Sequence, residues 1–439
     1  MNIALLGYGK EGQAAKKYFE TKFKNANFDI FENLTPAEFA TKDYSSYDII
    51  FRSPSIPPLG LGNETTMTRY FFDYCPCPTI GVTATKGKGT TCSFIKALLD
   101  AAGEDVYLVG NIGTPAIEIL DNLKPTSVVV YEMSSFQLWD LENSPHVAVV
   151  GQIEPDHLNV HKDYSDYLAA KAHITTFQTP NDFLVYYQNN PESVKIAETS
   201  TAQKIAYPFP VPTEVKDAVK LPGKHNFENA LAAIAAVACY KNISPDEYLT
   251  TSKTEIIAGL ESFKGLPHRL EFVRELNNVK YYDDNFSTGT SSTRVAVNAF
   301  PNDNLTIIIG GRDKTANADL PEIYEILRAP QIKHVVLIGE SGHDLFKQYP
   351  DDPRFVLAES LEEAIQTAKT LAENDIKNSA NSENGTKTPV NLKPSTDLTN
   401  SEAPTRAIVL MSPAAASFDM FKNVYDRGAQ YQNLINSLA

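Results

Sequence analysis

The stretch GVTATKGKGTT at 81–91 limits what this 439-residue chain can fold into more than any other. PTIGVTA before it is the continuous apolar run of a short buried strand. TTCSFIKALLDAAG after it places Phe94, Ile95, Leu98 and Leu99 at helical spacing and stops at Gly103. A strand, a small-residue turn and a helix start make a phosphate-binding loop: backbone N–H groups and the helix N-terminus face the anion, and a lysine reaches the terminal phosphates. That reading assigns Thr85, Lys86, Gly87, Lys88, Gly89, Thr90 and Thr91 to the phosphates of a nucleoside triphosphate, with Lys88 on a solvent-facing loop. Against the pattern G-x-x-x-x-G-K-[ST], Val82 stands where the first glycine is expected and Gly89 follows the lysine. Thr90 or Thr91 must then supply the magnesium hydroxyl. A mobile surface loop, the alternative, leaves the apolar strand and amphipathic helix on its two sides without a purpose.

A chain this long suggests about three domains, and 42% hydrophobic residues can fill several cores. The net charge of −15 repels phosphate backbones and anionic lipid, so neither nucleic acid nor a membrane surface is an expected partner. Cys75, Cys77, Cys92 and Cys239 lack a paired C-x-x-C metal pattern, and Cys75 and Cys77 are too close for an easy disulfide, which points to free thiols in a reducing cytosol. MNIALLGYGK has no basic leader region, and ALAAIAAVAC at 230–239 is too short to span a bilayer. A cytoplasmic monomer is expected.

The fold class predicted is α/β in three domains: Rossmann-like at 1–78, a central phosphate-loop ATPase at 79–265, and Rossmann-like again at 266–439. In the first, NIALLGYGKEGQAAKKYF gives strand, G-x-G-x-x-G (Gly7, Gly9, Gly12) and helix, and FDIFE gives a second strand ending at Glu32. Those residues suit a diphosphate and a ribose hydroxyl, or equally a tight strand-to-helix turn. YDIIFRSP then runs into the proline-rich SPSIPP loop at a strand's carboxyl end. In the second, SVVVYEMSSFQL ends a strand at Glu132, and HVAVVGQIEPDHLNVH ends one before Glu154, Asp156, His157 and His161. Together these suggest magnesium ligands, although histidine is an unusual one. Lys171, in apolar company on the helix 163–177, reads locally as a lysine snorkelling to water. Asn226 and Asn229, at the start of an alanine-rich helix, could cap it or read an adenine edge. The third domain begins at the Gly/Pro hinge GLPHRLEF and alternates strands with helices. Its segment 374–404 has almost no large apolar residues and is expected to be a mobile surface insertion.

GVTATKGKGTT, GNIGTP, YEMSSFQL, DHLNVH, YLAAKAHI, LPGKHNFENALAA, GLPHRLE, DDNFST, IGGRDK and SPAAASFDMFKNVYDRG follow in the order and spacing of the Mur ligases, over nearly the whole chain. The resemblance is closest to the D-glutamate-adding branch, to which GLPHR and SPAAASFDMFKN point. It implies an ATP- and Mg2+-dependent ligase that activates the carboxylate of UDP-N-acetylmuramoyl-L-alanine as an acyl phosphate and joins it to D-glutamate in peptidoglycan synthesis.

By the same resemblance, Lys88 stabilises the transferring phosphoryl group, and Glu132 with the Thr90 hydroxyl holds one magnesium. His157 holds a second magnesium, and Lys171 carries a carbamate that replaces its cation by an anionic oxygen ligand. Asn226 and Asn229 lie near adenine, Arg269 on the phosphates and Asp284 on the ribose. Thr288, Lys314, Ser417 and Phe418 line the D-glutamate site. Asn111 meets the muramoyl substrate, while Gly7, Gly9, Gly12, Glu32, Ser53 and Ser55 cradle the uridine diphosphate.

Four positions depart from the pattern. Ala84 stands for a glycine, Gly89 for a serine (as in folylpolyglutamate synthases), Ser55 for a glycine, and Phe286 for a lysine that helps hold the amino acid's carboxylate. Phe286 leaves another amino acid of the same ligase chemistry as an alternative. A dinucleotide oxidoreductase built on Gly7, Gly9 and Gly12 would leave the phosphate loop, Glu132, His157 and Lys171 without a role. A nucleotide-binding module that has lost catalysis is the third reading.

Overall fold

The computed structural model describes residues 1–111, 113–383 and 406–439. Three sheets carry the architecture. The first joins β1 (Asn2–Leu6), β2 (Asn27–Phe31), β3 (Ile49–Arg52) and β4 (Glu64–Thr65) in the order β2-β1-β3-β4, all parallel. The second joins β5 (Thr79–Thr83), β6 (Val106–Gly110), β7 (Val128–Glu132), β8 (Val147–Val150), β9 (Phe183–Tyr187) and β10 (Gln203–Tyr207) in the order β10-β9-β8-β5-β7-β6, also parallel. The central strands β5, β7 and β8 are buried along their whole length, as strands covered on both faces must be.

The third sheet holds β11 (Glu271–Leu276), β12 (Val279–Asp283), β13 (Asn304–Gly310), β14 (Ile332–Ile338), β15 (Phe355–Leu357) and β16 (Ala407–Met411), ordered β11-β12-β16-β13-β14-β15. Only β11, an edge strand on a short hairpin, runs antiparallel. The central place of the last strand, β16, puts its following loop between those of β12 and β13. Side-chain function gathers there, because ligands of open parallel sheets bind beyond the strands' carboxyl ends.

Two compact units result: residues 1–220 with 225–263, and 221–224 with 264–439. The first holds two sheets, and one apolar core runs through both, from Ile3, Phe19 and Phe51 to Val129, Tyr131 and Leu184. Arg52, fully buried, pairs with Glu64 and reaches Asp140 at 2.6 Å, tying β3 to the segment after β7. The second unit has a core on each face of its sheet.

One expectation needs correction. The insertion placed at 374–404 does not start at Asn374, because the helix Leu361–Glu383 continues through that point; its apolar stripe of Leu361, Ala364, Ile365, Ala368 and Ala372 packs on the sheet and carries the helix outward. Residues 384–405 lie outside the described residues.

Candidate active site

The phosphate loop occupies the turn between β5 and the helix Lys88–Ala101. Gly87 caps that helix at φ 84°, and a Cβ there would stand 2.6 Å from Asn229 Oδ1, so glycine is required both by backbone and by space. Among the described residues no side chain caps this N-terminus, which leaves its first N–H groups open toward the loop. Thr85 does not face outward: its hydroxyl lies 2.9 Å from Tyr167 OH and donates to Glu154 O at 3.0 Å. Asn229 sits against the loop and accepts from Thr91 Oγ1 at 3.3 Å, which makes it a brace for the turn, while Asn226 is buried one turn earlier.

Lys88 is the first residue of the helix and half-buried, not a solvent-facing loop residue; its Nζ donates to Ala84 O (2.9 Å) and Thr85 O (3.2 Å). Lys171 does not snorkel. It is 1% exposed in the helix Tyr164–Thr176, and its Nζ donates to the same Ala84 O at 2.9 Å and to Thr83 Oγ1 at 3.3 Å, 4.8 Å over the Tyr167 ring. Burial first, and the Lys88 charge second, hold its pKa well below the ordinary lysine value.

Glu132 closes β7 and is 5% exposed. It is in register with Val82 of β5 on one side and Gly110 of β6 on the other, beside the loop and Asn111. The Asn111 N–H donates to Glu132 O at 3.2 Å. A buried carboxylate at the end of β7 and the Thr90 hydroxyl in the helix's first turn are hard oxygen donors, a set that fits Mg2+.

His157 adopts φ 55° and remains about half exposed beside Asp156, its ring 4.9 Å from Phe136. His161, grouped with it in the sequence, has a structural place. Its Nδ1 lies 2.9 Å from Asp166 Oδ2, its Nε2 2.9 Å from Ser135 Oγ, and its ring stacks on Phe136.

At the first sheet, Gly7 at φ 82° accepts no side chain, since a Cβ would stand 2.8 Å from Ser53 Cβ. Ser53 Oγ lies 3.3 Å from Ser55 Oγ, Gly9 caps the helix Lys10–Lys22, and Glu32 is exposed past β2. Glu11, inside the glycine motif, was not singled out in the sequence. Its Oε1 accepts from Gln137 Nε2 at 3.2 Å, and Oε2 is buried with no hydrogen-bond partner among the described residues. Desolvation pushes its pKa up to about 7.

In the second unit the loops after β12, β13 and β16 meet. Arg312 and Ala416 exchange backbone hydrogen bonds (2.8 and 3.2 Å), and Lys314 Nζ donates to Thr288 O at 3.2 Å. Lys314 and Phe418 are exposed, Thr288 is half-buried, and Ser417 is buried at the base.

Asp284, expected on a ribose, has its partners at the GLPHR turn and after β16. It is 5% exposed, and its oxygens accept from Leu270 N (3.2 Å) and Ser412 Oγ (2.8 Å), so it lies under the GLPHR turn. Desolvation raises its pKa to about 7.

The buried Arg427, which sequence reasoning missed although it lies in VYDRG, donates to Asn285 Oδ1 (2.8 Å), Asn285 O (3.1 Å) and Ala415 O (3.2 Å), stapling the β12 and β16 loops together. His268, Glu271 and Asp283 have the make-up of a metal site. Hydrogen bonds occupy them instead: His268 Nδ1 is 2.6 Å from Asp283 Oδ2, and Gln432 Nε2 donates to both carboxylates at 2.7 and 2.9 Å.

The Mur ligase middle domain matches residues 82–214, and the Mur ligase glutamate ligase domain matches 268–376. The chain is 31% identical to the UDP-N-acetylmuramoylalanine–D-glutamate ligase of Clostridium botulinum strain 657, covering 99% of this chain and 93% of that one. It is 29% identical to the enzyme of the same name from Clostridium tetani, covering 100% and 92%. The UDP-N-acetylmuramate–alanine ligase of Thermotoga maritima shares its fold at a TM-score of 0.56 and 16% identity, covering 100% and 99%. A pseudomurein peptide ligase from Methanothermus fervidus does so at 0.54 and 17%, covering 100% of each chain.

Proposed function

The chain belongs to the Mur ligases, with the UDP-N-acetylmuramoylalanine–D-glutamate ligases, and we propose how its residues divide the work. It is an ATP-dependent ligase forming a carbon–nitrogen bond, and its reaction is the addition of D-glutamate to UDP-N-acetylmuramoyl-L-alanine in peptidoglycan synthesis. A carboxylate is a poor acyl donor, because an amine attacking it would have to expel oxide. Phosphorylation by ATP converts that oxygen into a leaving group, and the amine then displaces phosphate through a tetrahedral intermediate.

The observation that carries the residue assignment is the meeting of Lys88, Lys171 and the end of β5 beside Glu132. Lys88, at the helix start, stabilises charge on the transferring phosphoryl group, with Thr85, Lys86, Gly87, Gly89, Thr90 and Thr91 around the phosphates. Glu132 and Thr90 would hold Mg2+, which neutralises phosphate charge when bound. A second ion would fall to His157 and Lys171.

Burial drives Lys171 toward the neutral amine, the form suited to add carbon dioxide, forming an N–C bond with release of one proton and presenting a carboxylate oxygen. Asn229 braces the loop, Asn226 lies toward the base, and Arg269 contacts phosphate. Gly7, Gly9, Gly12, Glu32, Ser53, Ser55 and Asn111 take the uridine diphosphate substrate. Thr288, Lys314, Ser417 and Phe418 take D-glutamate.

Residues 1–78, 79–265 and 266–439 would be the three working domains. Four free cysteines suit a reducing cytoplasm, and the enzyme would work as a monomer without nucleic acid. No helix of the described residues is long and apolar enough to cross a membrane.

The test is ADP release with UDP-N-acetylmuramoyl-L-alanine and a panel of amino acids. D-glutamate should be preferred; faster turnover with L-lysine or diaminopimelate would reject the amino-acid assignment.

A further inference from the structure

Arg269 leaves a turn of rare geometry: His268 and Leu270, its two neighbours, adopt φ 60° and 47°. Side-chain-bearing residues hold such angles only when their surroundings fix them. Here the His268 N–H donates to Glu271 Oε2 at 2.8 Å, the His268 ring is paired with Asp283, Gln432 bridges the two carboxylates, and the Leu270 N–H donates to Asp284. The arginine itself is exposed and has no carboxylate partner among the described residues. What meets it is an aromatic face, with Cζ 5.3 Å from the centroid of Phe286.

Phe286 is fixed from three directions. Its N–H donates to His268 O at 3.1 Å, its ring stacks on the His268 ring (5.9 Å, 23°), and Tyr425 meets it edge-on (5.2 Å, 80°). Behind His268 the helix Val424–Ser437 presents Gly428, where a Cβ would stand 2.4 Å from the imidazole Nδ1. The chain of contacts therefore runs Gly428, His268, Phe286, Arg269.

We infer that Phe286 is a positioning residue for Arg269, pinning the guanidinium so that its donors are set for an anionic phosphate oxygen before the nucleotide arrives. A long exposed arginine loses rotamer freedom when it engages a ligand, and a ring that already holds it removes part of that cost. A phenyl ring has no donor for a carboxylate, so Phe286 does not take part in holding the incoming amino acid. The inference rests on the reading of Arg269 as a phosphate contact.

Steady-state kinetics of Phe286→Leu, Phe286→Tyr, Gly428→Ala, Arg269→Ala and the Phe286→Leu/Arg269→Ala double variant test it. Phe286→Leu should raise the apparent KM for ATP about three- to fivefold and leave that for D-glutamate unchanged. Phe286→Tyr, which keeps the ring, should stay near wild type, and Gly428→Ala should move in the direction of Phe286→Leu. In the Arg269→Ala background Phe286→Leu should have no further effect. A rise in the D-glutamate KM instead, or an equal effect with and without Arg269, overturns the inference while leaving the arginine assignment standing. An unchanged ATP KM in Arg269→Ala overturns that assignment and the inference with it.

Discussion

Lys88 and Lys171, 83 positions apart in the chain, each place Nζ 2.9 Å from one acceptor, the carbonyl oxygen of Ala84. Two cations that close cannot both be comfortable when one is buried, and Lys171 gives way: its amine is driven toward the neutral form. Lys88, half-buried at the helix start, stays beside the phosphate loop, while Lys171 is closed off from water.

Carbamylation of Lys171 should be visible as a bicarbonate-dependent carbonyl signal in 13C spectra, lost in Lys171→Ala. That variant should be at least about a hundredfold less active and should recover in part with acetate, whose oxygen replaces the missing ligand. A signal that persists in Lys171→Ala would refute the assignment.

Lys88→Ala should abolish acyl phosphate formation, since it removes the cation assigned to the transferring phosphoryl group. Stability should fall by only about 1 kcal/mol, because the lost hydrogen bonds go to carbonyls of its own half-buried loop. Wild-type ADP release, or a variant unfolded at 25 °C, would contradict it.

Glu11 predicts a pH effect on stability without ligands. Its folded pKa of about 7 lies above the ordinary 4.5. Between those values the folded state keeps a proton the unfolded chain has lost, so stability falls as pH rises through this window and stays lower above it. Glu11→Gln should remove that loss and stabilise the protein at pH 8 by on the order of 2–3 kcal/mol. Melting temperatures at pH 5 and pH 8 check this, and an unchanged gap between them would refute it.

Lys314→Ala should raise the apparent KM for D-glutamate at least about tenfold, as expected for loss of a charge-assisted contact to a carboxylate, with that for ATP nearly unchanged. Its ammonium is exposed and donates only to Thr288 O among the described residues, so the fold does not depend on it. Equal weakening for both substrates would assign it to the nucleotide instead.

Local chemistry in the sequence determined the elements and much of the site. A buried apolar run, a glycine turn and an amphipathic helix announce a phosphate loop without reference to anything distant, and an acidic residue at or just past a strand's end, Glu132 or Glu32, announces the carboxyl edge of a parallel sheet. Spacing along the chain carries no information about what a side chain meets across it. From its sequence neighbours alone Lys171 therefore reads as snorkelling, and tertiary structure is what buries it against Ala84; likewise it is Asp166 and Ser135, taking both nitrogens of His161, that set it physically apart from His157. The place of Arg427 and the burial of Asp284 were invisible for the same reason: both are set by partners brought in by neighbouring strands of the third sheet, where β16, last in sequence, is inserted between β12 and β13. Only long-range packing sets burial, and burial is what sets the pKa of Lys171, Glu11 and Asp284.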